Sequence, residues 1–166
     1  MRYVCILLFI LLPSLVSSSH KDRIPTVILP EVTVRPPMPN RDSIELLARL
    51  IYAESNGEPF EGQIAVANTV IYRSWRKNRS YHDIVFQKGQ YDGVRTKYFN
   101  RTPKPEHLRA AYYALIGYKA IPYGVQYFHN KRIATDTKWV KYLSKHEYKT
   151  IGNHTFCWIP ELKPQA

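Results

Sequence analysis

The chain has 166 residues, which suits one domain with accessory segments, and it carries 24 Lys and Arg against 13 Asp and Glu, a formal net charge of +11. Its six histidines and two cysteines show no spacing typical of a metal site, and the sequence has neither a glycine-rich phosphate loop nor a GxSxG nucleophile motif. We therefore expect no metal and no cofactor. The strong positive charge indicates an anionic partner, which could be nucleic acid, a membrane surface or a wall polymer.

Residues 1–19 are predicted to be a signal peptide. Arg2 precedes an apolar run from Tyr3 to Val16 that is short for a bilayer span, and small serines follow. The alternative is a retained membrane anchor. Export argues against nucleic acid as the partner, because an exported basic protein more readily meets anionic envelope polymers. It also leaves Cys157 as the one cysteine of the mature chain, so the fold rests on its hydrophobic core and not on a disulfide.

Residues 20–42 are predicted to form an extended linker, since five of the twelve prolines fall between residues 20 and 40. The folded domain is predicted at residues 43–159, with a short tail at 160–166.

The first helix of that domain is predicted from a capping pattern followed by a stripe of apolar residues at helical spacing. Asp42 heads an Asp-x-x-Glu capping pattern, and Leu47, Leu50 and Ile51 follow at helical spacing. Gly57 is predicted to stop this helix, because glycine readily adopts the left-handed conformation found beyond helix ends.

Two more helices are predicted further along the chain. Pro59 opens a second helix that reaches about Arg76, because proline is well suited to a first helical turn. The densest basic run, RSWRKNR at residues 73–79, is interpreted as a solvated loop. A third helix is predicted to begin at Pro105, with Leu108 among the residues that face the core.

The last third of the domain changes to a strand pattern. VQYFH at 125–129, EYKTI at 147–151 and HTFCW at 154–158 are short β-prone runs, and Gly152-Asn153 is a two-residue hairpin turn signal. Helices first and strands later predict an α+β domain that ends in a small antiparallel hairpin or sheet.

Glu54 is the first candidate for chemistry. It follows Leu47, Leu50 and Ile51 by seven, four and three residues, so it shares the helix face that packs into the core. It also lies in the last helical turn, where the helix dipole disfavours an anion. Desolvation and the dipole both raise a carboxyl pKa, which is what a general acid needs near neutral pH. The alternative is a helix that ends earlier and leaves Glu54 on the surface.

Glu58 is a candidate second carboxylate. It lies beyond the helix break and next to Pro59, where it would be stabilised as an anion at the start of the second helix. Two carboxyls with opposite preferences are a common way to divide acid and base roles. A purely structural capping role is the alternative.

Four sequence blocks resemble a known family. LARLIYAESNGEPFEGQIAVANTVIYR at residues 47–73 is similar to the opening of the SleB-like cell wall hydrolase family. QKGQY at 87–91, YFHN at 127–130 and IGNHTFCW at 151–158 follow in the family's order. The resemblance implies a lysozyme-like fold that acts on peptidoglycan, with the Glu of the YAE motif, Glu54 here, as the catalytic acid. It also implies that polar and aromatic side chains line the sugar cleft: Gln63, Gln87, Gln90, Tyr91, Tyr127 and Asn130. We expect the chain to be a monomer.

The reaction implied by the resemblance is that of a lytic transglycosylase, which needs one carboxyl group. Glu54 would protonate the bond between N-acetylmuramic acid and N-acetylglucosamine, and a 1,6-anhydro end would form. Three alternatives remain open at the level of sequence. They are a hydrolytic muramidase or glucosaminidase that uses Glu54 and Glu58, a non-catalytic wall-binding module, and a basic exported nuclease or nucleic-acid binder.

Overall fold

The computed structural model of the chain describes residues 38–130, 132, 138–159 and 161. The predicted signal peptide at 1–19, the linker up to residue 37 and nearly all of the predicted tail lie outside these residues. Within them, no helix is long and apolar enough to cross a membrane.

Helix α1, Arg41–Ser55, begins just ahead of the predicted domain start. Its N-cap is Asn40, whose side chain accepts a hydrogen bond from the backbone N–H of Asp42 at 2.8 Å. The prediction of Asp42 as the cap was therefore wrong. Asn is as good an N-cap as Asp and comes two residues earlier. Asp42 therefore falls in the first turn, where its negative charge interacts favourably with the helix dipole.

Helix α2, Phe60–Lys77, is the central element of the fold. Every residue from Gly62 to Ser74 is buried, because α1, a short helix α3 at Tyr81–Val85, helix α4 at Pro105–Leu115 and the first strand surround α2. The interpretation of residues 73–79 as a solvated loop was wrong for residues 73–77, which belong to α2, and Arg73 is only 2% exposed. The polar residues of a helix enclosed on all sides need partners inside the protein.

Helix α4 packs against α1 and α2 through a face of small side chains and one histidine. Its buried residues are His107, Ala110, Ala111 and Ala114. Leu108, predicted to face the core, is instead 37% exposed. Small side chains let the axes of packed helices approach closely. The alanine face of α4 is therefore buried against α1 and α2, although Leu108 is the larger apolar residue.

Three antiparallel strands complete the fold after the helices, as predicted. They are β1 at Val125–Asn130, β2 at Glu147–Ile151 and β3 at His154–Trp158, in the order β1–β3–β2. Gly152 takes a φ of 59° in the turn that joins β2 to β3, which confirms the predicted hairpin. A short helix α5, Lys138–Leu143, precedes β2 and was not predicted from the sequence.

Candidate active site

Glu54 lies in the last turn of α1, at the end of the stripe formed by the fully buried Leu47, Leu50 and Ile51. The helical spacing of these three residues predicted that Glu54 would share their buried face, and Glu54 is indeed half-buried. A 3₁₀ helix at Asp92–Arg95 covers the carboxyl group from the other side.

The environment of Glu54 raises the pKa of its carboxyl group to about 7. Burial is the main cause, and the negative charge of the neighbouring Asp92 adds to it. A hydrogen bond opposes both effects, because the backbone N–H of Gly93 donates to Glu54 Oε1 at 2.6 Å and favours the charged form. The result is a carboxyl group that exchanges its proton near neutral pH.

Gly93 is a glycine because the carboxyl group leaves no room for a side chain. A Cβ atom at this position would lie 2.7 Å from Glu54 Oε1 and 2.9 Å from the Cβ of Ala53. The residue has no left-handed backbone conformation that would otherwise require glycine. Close approach alone therefore explains it, and this contact joins residues 39 positions apart in the sequence.

Glu58 does not cap α2 with its side chain, contrary to the structural alternative considered above. Pro59 is the N-cap, and its apolar side chain supplies no capping hydrogen bond to the first turn of α2. The carboxylate of Glu58 accepts instead from the backbone N–H of Asn153 at 2.8 Å and from Asn153 Nδ2 at 2.9 Å. Glu58 thus ties the start of α2 to the turn between β2 and β3. Gly152 permits this contact, since a Cβ there would collide with Glu58 Oε2.

Two of the other predicted residues take part in local contacts. Gln63 is buried, and its Nε2 donates to the backbone carbonyl of Glu58 at 3.1 Å while its Oε1 has no partner. Asn130, at the end of β1, accepts from the backbone N–H of Arg132 at 2.9 Å. Gln63 therefore belongs with Glu58, and Asn130 pairs in the sheet with His154, the neighbour of the Asn153 that binds Glu58.

The remaining four predicted residues surround the buried guanidinium group of Arg73. Its Nη2 donates to Oε1 of Gln90 and, at 3.5 Å, to Oε1 of Gln87. The rings of Tyr91 and Tyr127 each lie 5.4 Å from its central carbon. Arg73 was missed as a candidate because it sits in a dense basic run. A signal was available in the sequence, since Arg73 follows the buried Val66 and Val70 by seven and three residues on α2 and so shares their helix face.

A cavity of about 290 Å³ opens beside this group and is called the Arg73 cavity below. It is lined by Arg73, Gly89, Gln90, Tyr91, Gln126, Tyr127, Phe128 and Trp139. Tyr91 connects the cavity to Glu54, because the chain runs directly from Tyr91 to the 3₁₀ helix that holds the carboxyl group. The Tyr91 hydroxyl itself is buried and bonded to Thr69 Oγ1 at 3.0 Å. Among the described residues, no group of three or more His, Cys, Asp or Glu is placed to hold a metal ion.

Comparison with known proteins decides the family. The model of the cell wall hydrolase family matches residues 57–157, more than half of the chain. The chain belongs to this family. The match begins three residues after Glu54 and so does not include that residue.

The cell wall hydrolase domain is similar to two curated spore cortex-lytic enzymes. That of Bacillus cereus is 29% identical over 120 residues, which cover 71% of this chain and 45% of the relative. That of Halalkalibacterium halodurans is 31% identical over 120 residues, which cover 70% of this chain and 34% of the relative. The chain thus spans less than half the length of these relatives.

Two solved structures resemble the cell wall hydrolase domain in fold. One is the catalytic domain of the germination-specific lytic transglycosylase SleB from Bacillus anthracis, with a TM-score of 0.65, 27% identity, and coverage of 74% of this chain and 98% of that one. The other is the catalytic domain of the Bacillus cereus SleB protein, with a TM-score of 0.62, 29% identity, and coverage of 71% of this chain and 91% of that one. The predicted α+β, lysozyme-like class is therefore confirmed.

Proposed function

We propose that this cell wall hydrolase degrades peptidoglycan as a lytic transglycosylase, with Glu54 as both the general acid and the general base. The observation that carries the proposal is the half-buried carboxyl group whose pKa is raised to about 7 and which a backbone N–H holds in place. The similarity to the SleB catalytic domain, described as a lytic transglycosylase, supports the reaction class.

In the proposed reaction Glu54 first donates a proton to the substrate and then takes one back. Glu54 donates its proton to the oxygen that links C1 of N-acetylmuramic acid to N-acetylglucosamine, and the C1–O bond breaks. The C6 hydroxyl oxygen of the same muramic acid then bonds to C1, and its proton returns to the Glu54 carboxylate. A 1,6-anhydro ring forms, no water is consumed and the enzyme regains its starting state. The intramolecular attack replaces an external nucleophile.

The contacts of Glu58 favour this reaction over hydrolysis with two carboxylates. A general base for water needs a carboxylate that is open toward the substrate. Both oxygens of Glu58 already accept hydrogen bonds from Asn153, one from the backbone and one from the side chain. We therefore assign Glu58 to holding the turn between β2 and β3, not to activating water.

We further propose that the enzyme acts outside the cytoplasm, on the cell wall, after removal of residues 1–19. The apolar run followed by small serines at the N-terminus supports export, as does the similarity to spore cortex-lytic enzymes. Sequencing the N-terminus of the exported protein tests this, and an intact Met1 in a membrane fraction would favour an anchor.

Digestion of purified peptidoglycan tests the reaction. Mass spectrometry of the products should find 1,6-anhydro ends, which are about 18 mass units lighter than hydrolysed ends because no water is added. Glu54→Gln should abolish these products, whereas Glu61→Gln, an equivalent change at an exposed residue paired with Lys149, should not. Detection of reducible muramic acid ends would show that the enzyme is a hydrolase and not a transglycosylase. Retained peptidoglycan binding without cleavage by the wild type would indicate a wall-binding module.

A further inference from the structure

We propose that the Arg73 cavity binds a carboxylate group carried by the peptidoglycan strand, an inference that rests on the proposed function. The first observation is the unbalanced charge of Arg73. Its side chain is 2% exposed, its Nε–H has no hydrogen-bond partner, and within the described part of the chain no carboxylate lies within ion-pair distance. Buried arginines are ordinarily paired with an acid, because an isolated buried charge is costly.

The acceptors that Arg73 does have are neutral. Gln87 and Gln90 offer amide oxygens to its Nη2 and so satisfy hydrogen bonds without compensating the charge. The adjacent Nε–H remains unused. Arginine binds carboxylates through its Nε–H and Nη groups, and here the two glutamines engage Nη2 but not Nε. The site thus retains an unused cationic donor beside a cavity, and the described residues place no anionic side chain there to neutralise it.

Neighbouring residues increase the positive potential. Lys77 donates to Gln87 Oε1 at 3.0 Å, the same oxygen that Arg73 contacts, which places its ammonium group near the guanidinium group of Arg73. Burial lowers the pKa of Lys77, and the guanidinium groups of Arg73, Arg76 and Arg79 lower it further. Like charges held this close are costly unless an anion joins them, so the cluster favours an anionic ligand.

The cavity also offers apolar ring surface for a sugar. Trp139 is 50% exposed, so the cavity reaches the protein surface there, and its ring packs edge-on against Tyr127 at 5.2 Å. Aromatic rings bury the apolar face of a ligand while leaving polar edges wet. A guanidinium cation in a cavity with aromatic rings, of which Trp139 is exposed, matches a ligand that combines a sugar ring with a carboxylate.

The position of the cavity relative to Glu54 fits a strand that occupies both. Tyr91 lines the cavity, and Gly93, two residues later, donates to Glu54. Peptidoglycan can present a carboxylate in two ways. A peptide-free strand carries one on the lactyl group of each muramic acid, whereas in a peptide-bearing strand that group is an amide and the carboxylates lie on the stem peptide.

Calorimetric titration of the full chain carrying Glu54→Gln tests the proposal, with mass spectrometry to verify that the ligand stays intact. The first pair of ligands is a peptide-free muramic acid tetrasaccharide and its lactyl carboxamide. The second pair is the same tetrasaccharide with stem peptides whose carboxylates are free or amidated. We expect roughly 10- to 100-fold tighter binding of the carboxylate in one of the two pairs, which identifies its source. Equal affinity within both pairs would overturn the proposal.

Gln90→Glu provides the matched variant. The change is nearly isosteric, so the fold should be retained or stabilised. The new carboxylate lies beside Arg73 and neutralises the charge that would otherwise bind the ligand's carboxylate. We expect the carboxylate preference to disappear. Lys149→Gln changes the net charge by the same amount at an exposed residue paired with Glu61, away from this cluster, and should leave the preference intact. A preference that survives Gln90→Glu would overturn the Arg73 cavity as its site.

The two proposals fail separately. Wild-type protein that cleaves peptidoglycan to 1,6-anhydro ends, together with no carboxylate preference, overturns only the assignment of the Arg73 cavity. A carboxylate preference in a wild-type protein that does not cleave overturns the proposed reaction and leaves the cavity as a binding site.

Discussion

Replacing Glu54 with Gln should change the pH dependence of stability as well as activity. The folded state raises the pKa of this carboxyl group from 4.5 to about 7, so between these values the folded protein binds a proton that the unfolded chain has lost. Wild-type stability therefore falls as the pH rises through this interval. Gln keeps the size and polarity of the side chain, and its amide oxygen can still accept the Gly93 N–H, but it does not titrate.

The size of this effect follows from the pKa difference. A shift from 4.5 to about 7 corresponds to about 3 kcal/mol at full value. Glu54 retains partial contact with solvent, so we expect about 2 kcal/mol. Relative to the wild type, Glu54→Gln should gain this amount of unfolding free energy between pH 4 and pH 8, with most of the gain between pH 5 and pH 7.

Urea denaturation of both proteins at each pH measures this difference directly. Groups that titrate elsewhere affect both proteins equally and cancel in the comparison. Glu61→Gln, which removes an exposed carboxylate, should show a nearly constant difference from the wild type. A constant difference for Glu54→Gln as well would show that burial does not raise the pKa of Glu54, and the general acid would lose its physical basis.

Three further predictions concern turnover and the contacts around the two carboxylates. Wild-type turnover should decline as the pH rises through about 7, because bond cleavage starts from protonated Glu54; a profile that is flat between pH 6 and pH 8 would contradict this. Gly93→Ala should lower turnover at least tenfold by displacing the Glu54 carboxyl group, whereas Gly62→Ala, where the nearest contact is an ordinary 3.4 Å, should not; equal losses would point to general destabilisation. Glu58→Gln keeps one of two hydrogen bonds to Asn153, so it should cost about 1–2 kcal/mol in urea denaturation but reduce turnover far less than Glu54→Gln. A loss of turnover as large as that of the Glu54 variant would move Glu58 into the chemistry.

The sequence predicted those features that depend on local pattern. The stripe of Leu47, Leu50 and Ile51 predicted both the orientation of α1 and the partial burial of Glu54. The Gly152-Asn153 turn predicted the hairpin, because few other residues adopt the backbone conformation that such a turn requires.

The contacts that define the site were beyond the reach of local pattern. The hydrogen bond from Gly93 to Glu54 joins residues 39 positions apart, and those from Asn153 to Glu58 join residues 95 positions apart. Neither contact leaves a periodic signal in the sequence. Arg73 shows the same difficulty in another form, since a basic residue within a basic run predicts solvation unless the neighbours that enclose it are known.

A single carboxyl group that serves as acid and then as base needs a pKa close to the working pH, because both proton transfers must be fast. Burial alone would make Glu54 a reluctant base, since the carboxylate formed after bond cleavage would be poorly solvated. The Gly93 N–H corrects this by stabilising the carboxylate at 2.6 Å. Burial raises the pKa of Glu54 and this donor lowers it. With the resulting pKa of about 7, neither the donation of the proton nor its return is strongly uphill near neutral pH. The absence of a side chain at Gly93 is therefore as much a part of the proposed mechanism as the carboxyl group of Glu54.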